Sequence, residues 1–178
     1  MNSNKIKWMV TTAVLLALTV VFQYLRLVFG AQGVSPYIIG TLVNVCLIIA
    51  AMLVGVWGGV AVGVLAPVIA WLQGYAQIVM VPWIVAGNIV LVVLYALLVK
   101  PEMAKDKACW LRWALAGVLA ALVKWVIIAL GVTVMLGKGF VLALTVVQLQ
   151  QFVTALIAMV VAKLVLIALP KTVWCAGK

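Results

Sequence analysis

The chain has 178 residues, of which 70% are hydrophobic and 8% charged, with a formal net charge of +10. Soluble domains average about half apolar and about a quarter charged, so this composition excludes a body that faces water all round and indicates an integral membrane protein. A basic balance suits nucleic acid in other settings, but in a chain this apolar the cations belong at the membrane surface among anionic lipids, and no nucleic-acid partner is expected.

A helix needs about 20 apolar residues to cross a bilayer, and the sequence predicts six such spans. The first runs from Trp8 to Phe29, long enough to stay in the membrane rather than be removed as a leader, and GAQGVSP ends it. The second and third, Tyr37 to Val54 and Val56 to Gln73, are joined by VGVWGG. The fourth, Val81 to Val99, is followed by the longest polar stretch, KPEMAKDKACWLRW. The fifth, Trp110 to Leu136, and the sixth, Val141 to Leu169, meet at LGKG, turn chemistry again. The expected fold is an all-α membrane protein, a bundle of six transmembrane helices forming a single integral-membrane domain over residues 1–178. No appended soluble domain is expected, and no internal repeat supports an inverted-repeat architecture.

Six spans put both termini on one side of the membrane. That side collects Lys5, Lys7, Lys100, Lys105, Lys107, Arg112, Lys171 and Lys178, against Arg26 and Lys138 on the other. The positive-inside rule makes the N- and C-termini cytoplasmic. Trp8, Trp57, Trp110, Trp113 and Trp174 then fall near the inner interface, with Trp71 and Trp83 near the outer one. Cys46, Cys109 and Cys175 have no CxxC spacing and no histidine beside them, so they read as apolar fillers, and no metal site is expected.

The fifth span contains ALVKWVIIAL, with Lys124 about 14 residues above Trp110, roughly 21 Å along a helix. Its helical neighbours Ala120, Ala121, Ile127 and Ile128, with Gly117 and Gly131 a turn further, form a small-residue stripe of the kind that packs against other helices. Lys124 therefore faces the bundle interior, where intramembrane charges are normally found. The chain's two acids, Glu102 and Asp106, lie in the polar loop, and no span holds an Asp, Glu or His to answer the cation. Three readings stay open: a neutral amine, a cation satisfied by amides and carbonyls in a wet cavity, or a cation whose anion arrives as a ligand. On the third reading, Lys124→Met weakens ligand binding and costs the unliganded protein no stability, since an unpaired buried charge is removed.

Further polar residues gather towards the outer half of the bilayer, with Lys124 at the bottom. Gln148 and Gln151 are three apart in VVQLQQF and share a face with Ala155, Ala158 and Ala162, while Gln150 points elsewhere. Asn88 lies in the fourth span, Asn44 in the second on a face with Thr41 and Tyr37, and Gln23 and Arg26 near the outer end of the first. Each amide alone reads as helix–helix glue. Together with Lys124 they offer the few convergent polar groups that a small-molecule pocket needs. Lys124, Gln148, Gln151, Asn88, Arg26 and Gln23 are the candidate substrate-binding residues.

No phosphate-binding loop, intramembrane proton carrier or catalytic constellation is present, so the chain reads as a binder without its own energy source and not as an enzyme. Sodium coupling through carbonyls stays open. No cofactor is implied.

AVLLA places Ala13 and Ala17 in the cytoplasmic half of the first span, on a different face from Gln23 and Arg26. GVWGGVAVG sets Gly55, Gly59 and Gly63 at spacing four, and a proline-to-Gly-Asn stretch marks the fourth span. With six short spans and no energising motif, the whole chain resembles the substrate-binding S-component of an energy-coupling factor (ECF) transporter. The resemblance implies capture of a small water-soluble vitamin at the outer face of a prokaryotic plasma membrane. It also implies docking of Ala13 and Ala17 on a transmembrane coupling subunit, in a complex with two cytoplasmic ATPase subunits. The pocket would be built from spans four to six and capped by GAQGVSPY, QGYAQIVMVP and LGKG. The acid-free spans add that the micronutrient is anionic. Two other classes remain: a stand-alone small-solute facilitator or channel working without ATP, and a membrane assembly subunit in which the amides are only glue.

Overall fold

The computed structural model describes residues 3–30, 33–137, 139 and 148–170. Six helices are long and apolar enough to cross a membrane: Ser3–Phe29, Ser35–Leu53, Gly55–Leu72, Ile78–Leu98, Trp110–Met135 and Leu149–Ala168. Among the described residues there is no strand. The sixth span departs from the sequence expectation. Its described helix is Leu149–Ala168, and Gln148, inside the expected span, has a non-helical backbone (φ −116°, ψ 1°). Residues 141–147 lie outside the described residues, as do Lys138, Lys171, Trp174, Cys175 and Lys178.

The second span is the axis of the bundle. Its best apolar window is 61% buried, against 17% for the first span. From Val45 to Leu53 every residue is buried, so this helix is apolar all round, as a central helix must be. The first span is peripheral and buries only Leu15, Thr19 and Gln23, a stripe at spacing four. Ala13 and Ala17 are exposed on the same helix, beside exposed Val14 and Leu18.

Small residues let the third span approach closely. Only Val54 separates the second helix from the third, and Gly55 turns the chain with φ +77°, a left-handed value that favours glycine. Trp8 braces this joint by donating its indole N–H to the Val54 carbonyl at 2.8 Å. Gly59 faces Val92 of the fourth span and the second helix's backbone, and Gly63 faces Asn88.

The opposite end of the fourth span is tied by a residue that the sequence reading passed over. Lys163 of the sixth span is wholly buried, and its ammonium donates to the carbonyls of Met103 and Asp106, each at 2.8 Å. It also lies 5.2 Å from the ring centre of Trp113 and 5.8 Å from that of Trp110. The cation thereby fastens the loop between spans four and five, including the short helix Pro101–Lys105, onto the bundle. Within that loop the Asp106 carboxylate accepts from the Ala108 N–H and the Cys109 thiol, and these bonds hold its pKa below the ordinary carboxylate range.

The close approach at Gly59 is testable. A Cβ there would sit 2.6 Å from Val92 Cγ1 and 3.2 Å from the Ala51 backbone nitrogen. Gly59→Ala should destabilise the bundle by about 1–3 kcal/mol, the usual cost of overpacking, read as a lower thermal unfolding midpoint in detergent. An unchanged midpoint would show that the third and fourth spans are not held this close.

Candidate substrate pocket

A cavity of about 360 Å³ opens at the end of the bundle away from Ser3 and Ala168, at the small end of the range for ligand sites. Gln23 and Arg26 of the first span line it, with Asn44 of the second, Ala66 and Pro67 of the third, Asn88 of the fourth and Lys124 of the fifth. Tyr75 and Gln77 come from the loop between spans three and four, and Gln148, Gln150 and Gln151 from the start of the sixth.

The floor is a chain of hydrogen bonds whose origin is Pro67. A proline inside a helix has no N–H for the carbonyl four residues earlier, here that of Gly63. The Asn88 side chain replaces the missing donor, its Nδ2 reaching the Gly63 carbonyl at 3.1 Å. That bond turns the Asn88 amide oxygen towards Lys124, whose ammonium donates to it at 2.8 Å. The same ammonium donates to Asn44 Oδ1 at 2.6 Å. Asn44 Nδ2 donates to Thr154 Oγ1 at 3.2 Å, and the Thr154 hydroxyl contacts the Gln151 carbonyl at 3.2 Å. The network touches five of the six spans. Only one orientation of each asparagine amide serves it, because Lys124 demands the oxygen of both and the Gly63 carbonyl demands the nitrogen of Asn88.

This corrects one expectation. The Lys124 nitrogen is not without partners: the side chain is 2% exposed and bonds two neutral amide oxygens, which overturns the expectation of a group that only a ligand could answer. An ammonium has three N–H donors; two are used, and the third has no partner among the described residues.

Higher in the cavity, Gln23 donates its Nε2 to the Ala66 carbonyl at 2.9 Å, and its buried Oε1 has no hydrogen-bond partner among the described residues. Arg26 lies with its guanidinium carbon 4.9 Å from the centre of the Tyr75 ring, and its Nη1 makes a long 3.5 Å contact to the Tyr75 carbonyl. The Arg26 Nε is buried and unbonded among the described residues.

All six residues singled out from the sequence surround this one cavity. Gln150, expected to point elsewhere, lines it too. The helical spacing that separated it from Gln148 and Gln151 assumes a helix running through Gln148, whose backbone is non-helical. Asn44 was seen as polar but not counted, and Tyr75 and Gln77 sit in a loop with no periodic signal. The missed clue was Pro67, four residues after Gly63. Amides and two cations around an aliphatic wall can hold and orient a polar solute. Among the described residues, no cluster of His, Cys, Asp and Glu could hold a metal.

The family model for the substrate-specific component of ECF transporters matches residues 7–172. No curated protein and no solved structure matches the chain.

The pairing of Lys124 reverses the stability expectation. Lys124→Met leaves two buried amide oxygens without a donor, each costing roughly 1–3 kcal/mol, so the unliganded protein should unfold at a clearly lower temperature. Lys124→Met combined with Asn44→Leu should recover part of the loss, because one of the two orphaned oxygens is removed while Asn88 keeps its bond to the Gly63 carbonyl. A single mutant as stable as the parent would mean that the ammonium does not make these bonds.

Proposed function

The chain belongs to the substrate-specific components of ECF transporters, and on that premise we propose that it captures a small, water-soluble, anionic vitamin or related micronutrient from the outer side of a prokaryotic plasma membrane. As a member of that family it is a multi-pass, substrate-binding part of an ATP-driven importer, not an enzyme. The observation that carries the finer reading is the cavity itself. It is small, open at one end, lined by carboxamides and supplied with two cations, Lys124 and Arg26. Lys124, Asn88, Gln148, Gln151, Gln23 and Arg26 are its binding residues. The excess of lysine and arginine near the chain termini and in the loop at residues 100–112 supports a cytoplasmic location for both ends, which directs the cavity mouth outwards.

The first span divides its labour between two faces. Gln23 turns into the cavity, while Ala13 and Ala17 lie exposed where a partner helix can come close. That face is the dock for the transmembrane coupling subunit, which joins the chain to two cytoplasmic ATPases.

Ala13→Trp or Ala17→Trp should prevent co-purification with the coupling subunit and abolish uptake in cells. The bundle should still fold, because neither side chain packs inside it. Reconstituted alone in liposomes, the chain should show saturable binding of the solute carried through purification, identified by mass spectrometry, and no accumulation. Sustained uptake by the lone chain would instead establish a facilitator working without ATP.

A further inference from the structure

Among the described residues, three side chains of the cavity wall, Lys124, Gln23 and Arg26, each keep a buried hydrogen-bonding position open, and these differ in kind and in depth. The third span serves as a ruler, since one carbonyl or neighbour of it marks each level. At the floor, level with Gly63, Lys124 has one N–H left over after Asn44 and Asn88 are served. About one turn higher, level with Ala66, Gln23 presents an unbonded oxygen; this side chain is only 4% exposed. Near the mouth, Arg26 lies against Tyr75 with its Nε unbonded among the described residues, and the Tyr75 N–H donates to the Ala70 carbonyl at 2.8 Å. From floor to mouth the order is donor, acceptor, cationic donor. Gly63 to Ala70 is seven residues of helix, or about 10 Å.

The two cations are not equivalent. Lys124 spends two of its donors on neutral oxygens in a closed network, which leaves a single N–H for a ligand. Arg26 has a planar fork that fits a carboxylate edge, and it stands where the cavity opens. The walls between them are aliphatic, built from Ile39, Val43, Met80, Ile84 and Ile128. Among the described residues, Tyr75 is the one aromatic ring in the lining, and the Arg26 guanidinium lies over it. A flat ring system would find little here to stack on.

Resting on the S-component reading above, we propose that the cavity takes an elongated, aliphatic, amide-bearing monocarboxylate held acid end outwards. Its carboxylate lies on Arg26, an N–H or O–H of its middle donates to Gln23 Oε1, and a carbonyl or hydroxyl oxygen at its far end accepts the last N–H of Lys124. Arg26 thereby determines the preference for an acid, and Lys124 the fit at the floor.

The test uses the full chain in detergent and matched pairs of probes that differ only at the acid end: pantothenate with pantothenol, and biotin with biotinol. Nicotinate and riboflavin serve as flat controls. At least one of the two acids should bind, raise the unfolding temperature, and exceed its alcohol in affinity by tenfold or more. Arg26→Gln should bring the acid's affinity down to that of the alcohol, and Arg26→Lys should restore part of the difference. The proposal is overturned if neither acid binds, if the flat controls bind in preference, or if the acid keeps its advantage in Arg26→Gln. Co-purification with the coupling subunit reports on the S-component reading separately. A chain that assembles normally but binds neither acid refutes this inference alone.

Discussion

A polar group inside a membrane bundle has no water to turn to, so each must find its partner within the protein. Pro67 sets this constraint in motion. It strips the Gly63 carbonyl of its helical donor, Asn88 supplies another, and the Asn88 oxygen is thereby presented to Lys124. Asn44 answers from the other side and passes the chain on to Thr154 and the sixth span. Five helices are fixed in rotation and depth by one line of hydrogen bonds. The cavity exists above that line because its floor cannot sink or turn without orphaning several groups at once.

The two buried lysines show how differently a cation can be accommodated in such a chain. Lys163 meets two backbone carbonyls and two tryptophan rings at the end of the bundle that holds the polar loop. Its donors fasten a loop, and its surroundings are filled. Lys124 meets two side-chain amides at the base of an open cavity and keeps one N–H in reserve. Filled surroundings suit a fastener; a reserved donor beside empty space suits recognition.

Much of the architecture was legible in the sequence because hydropathy over about 20 residues is a strong, local signal. The six spans and the tight joint at Gly55 needed nothing more. The inward direction of Lys124 was legible from the small residues on its face, and Ala120, Ala121 and Ile128 are indeed buried beside it. Its partners were not, because Asn44 and Asn88 lie 80 and 36 residues away and only the relative register of three helices brings them to one nitrogen. Lys163 was passed over for a related reason: its satisfaction comes from backbone carbonyls, which every sequence has and none advertises. The break at Gln148 was not legible, because VVQLQQF reads as an unbroken stretch of span and hydropathy does not register backbone angles.

The bond between Asn88 and the Gly63 carbonyl ties the histories of two positions together. While Pro67 stands, loss of the amide at position 88 exposes a carbonyl that nothing else is placed to cover. Once position 67 regains an N–H, the third helix can close its own ladder and the amide is released from that duty. The order in which the two substitutions arise therefore decides whether the intermediate is sound. Sequences drifting through this fold should change position 67 before position 88, or both together, and the reverse order is a path that selection closes.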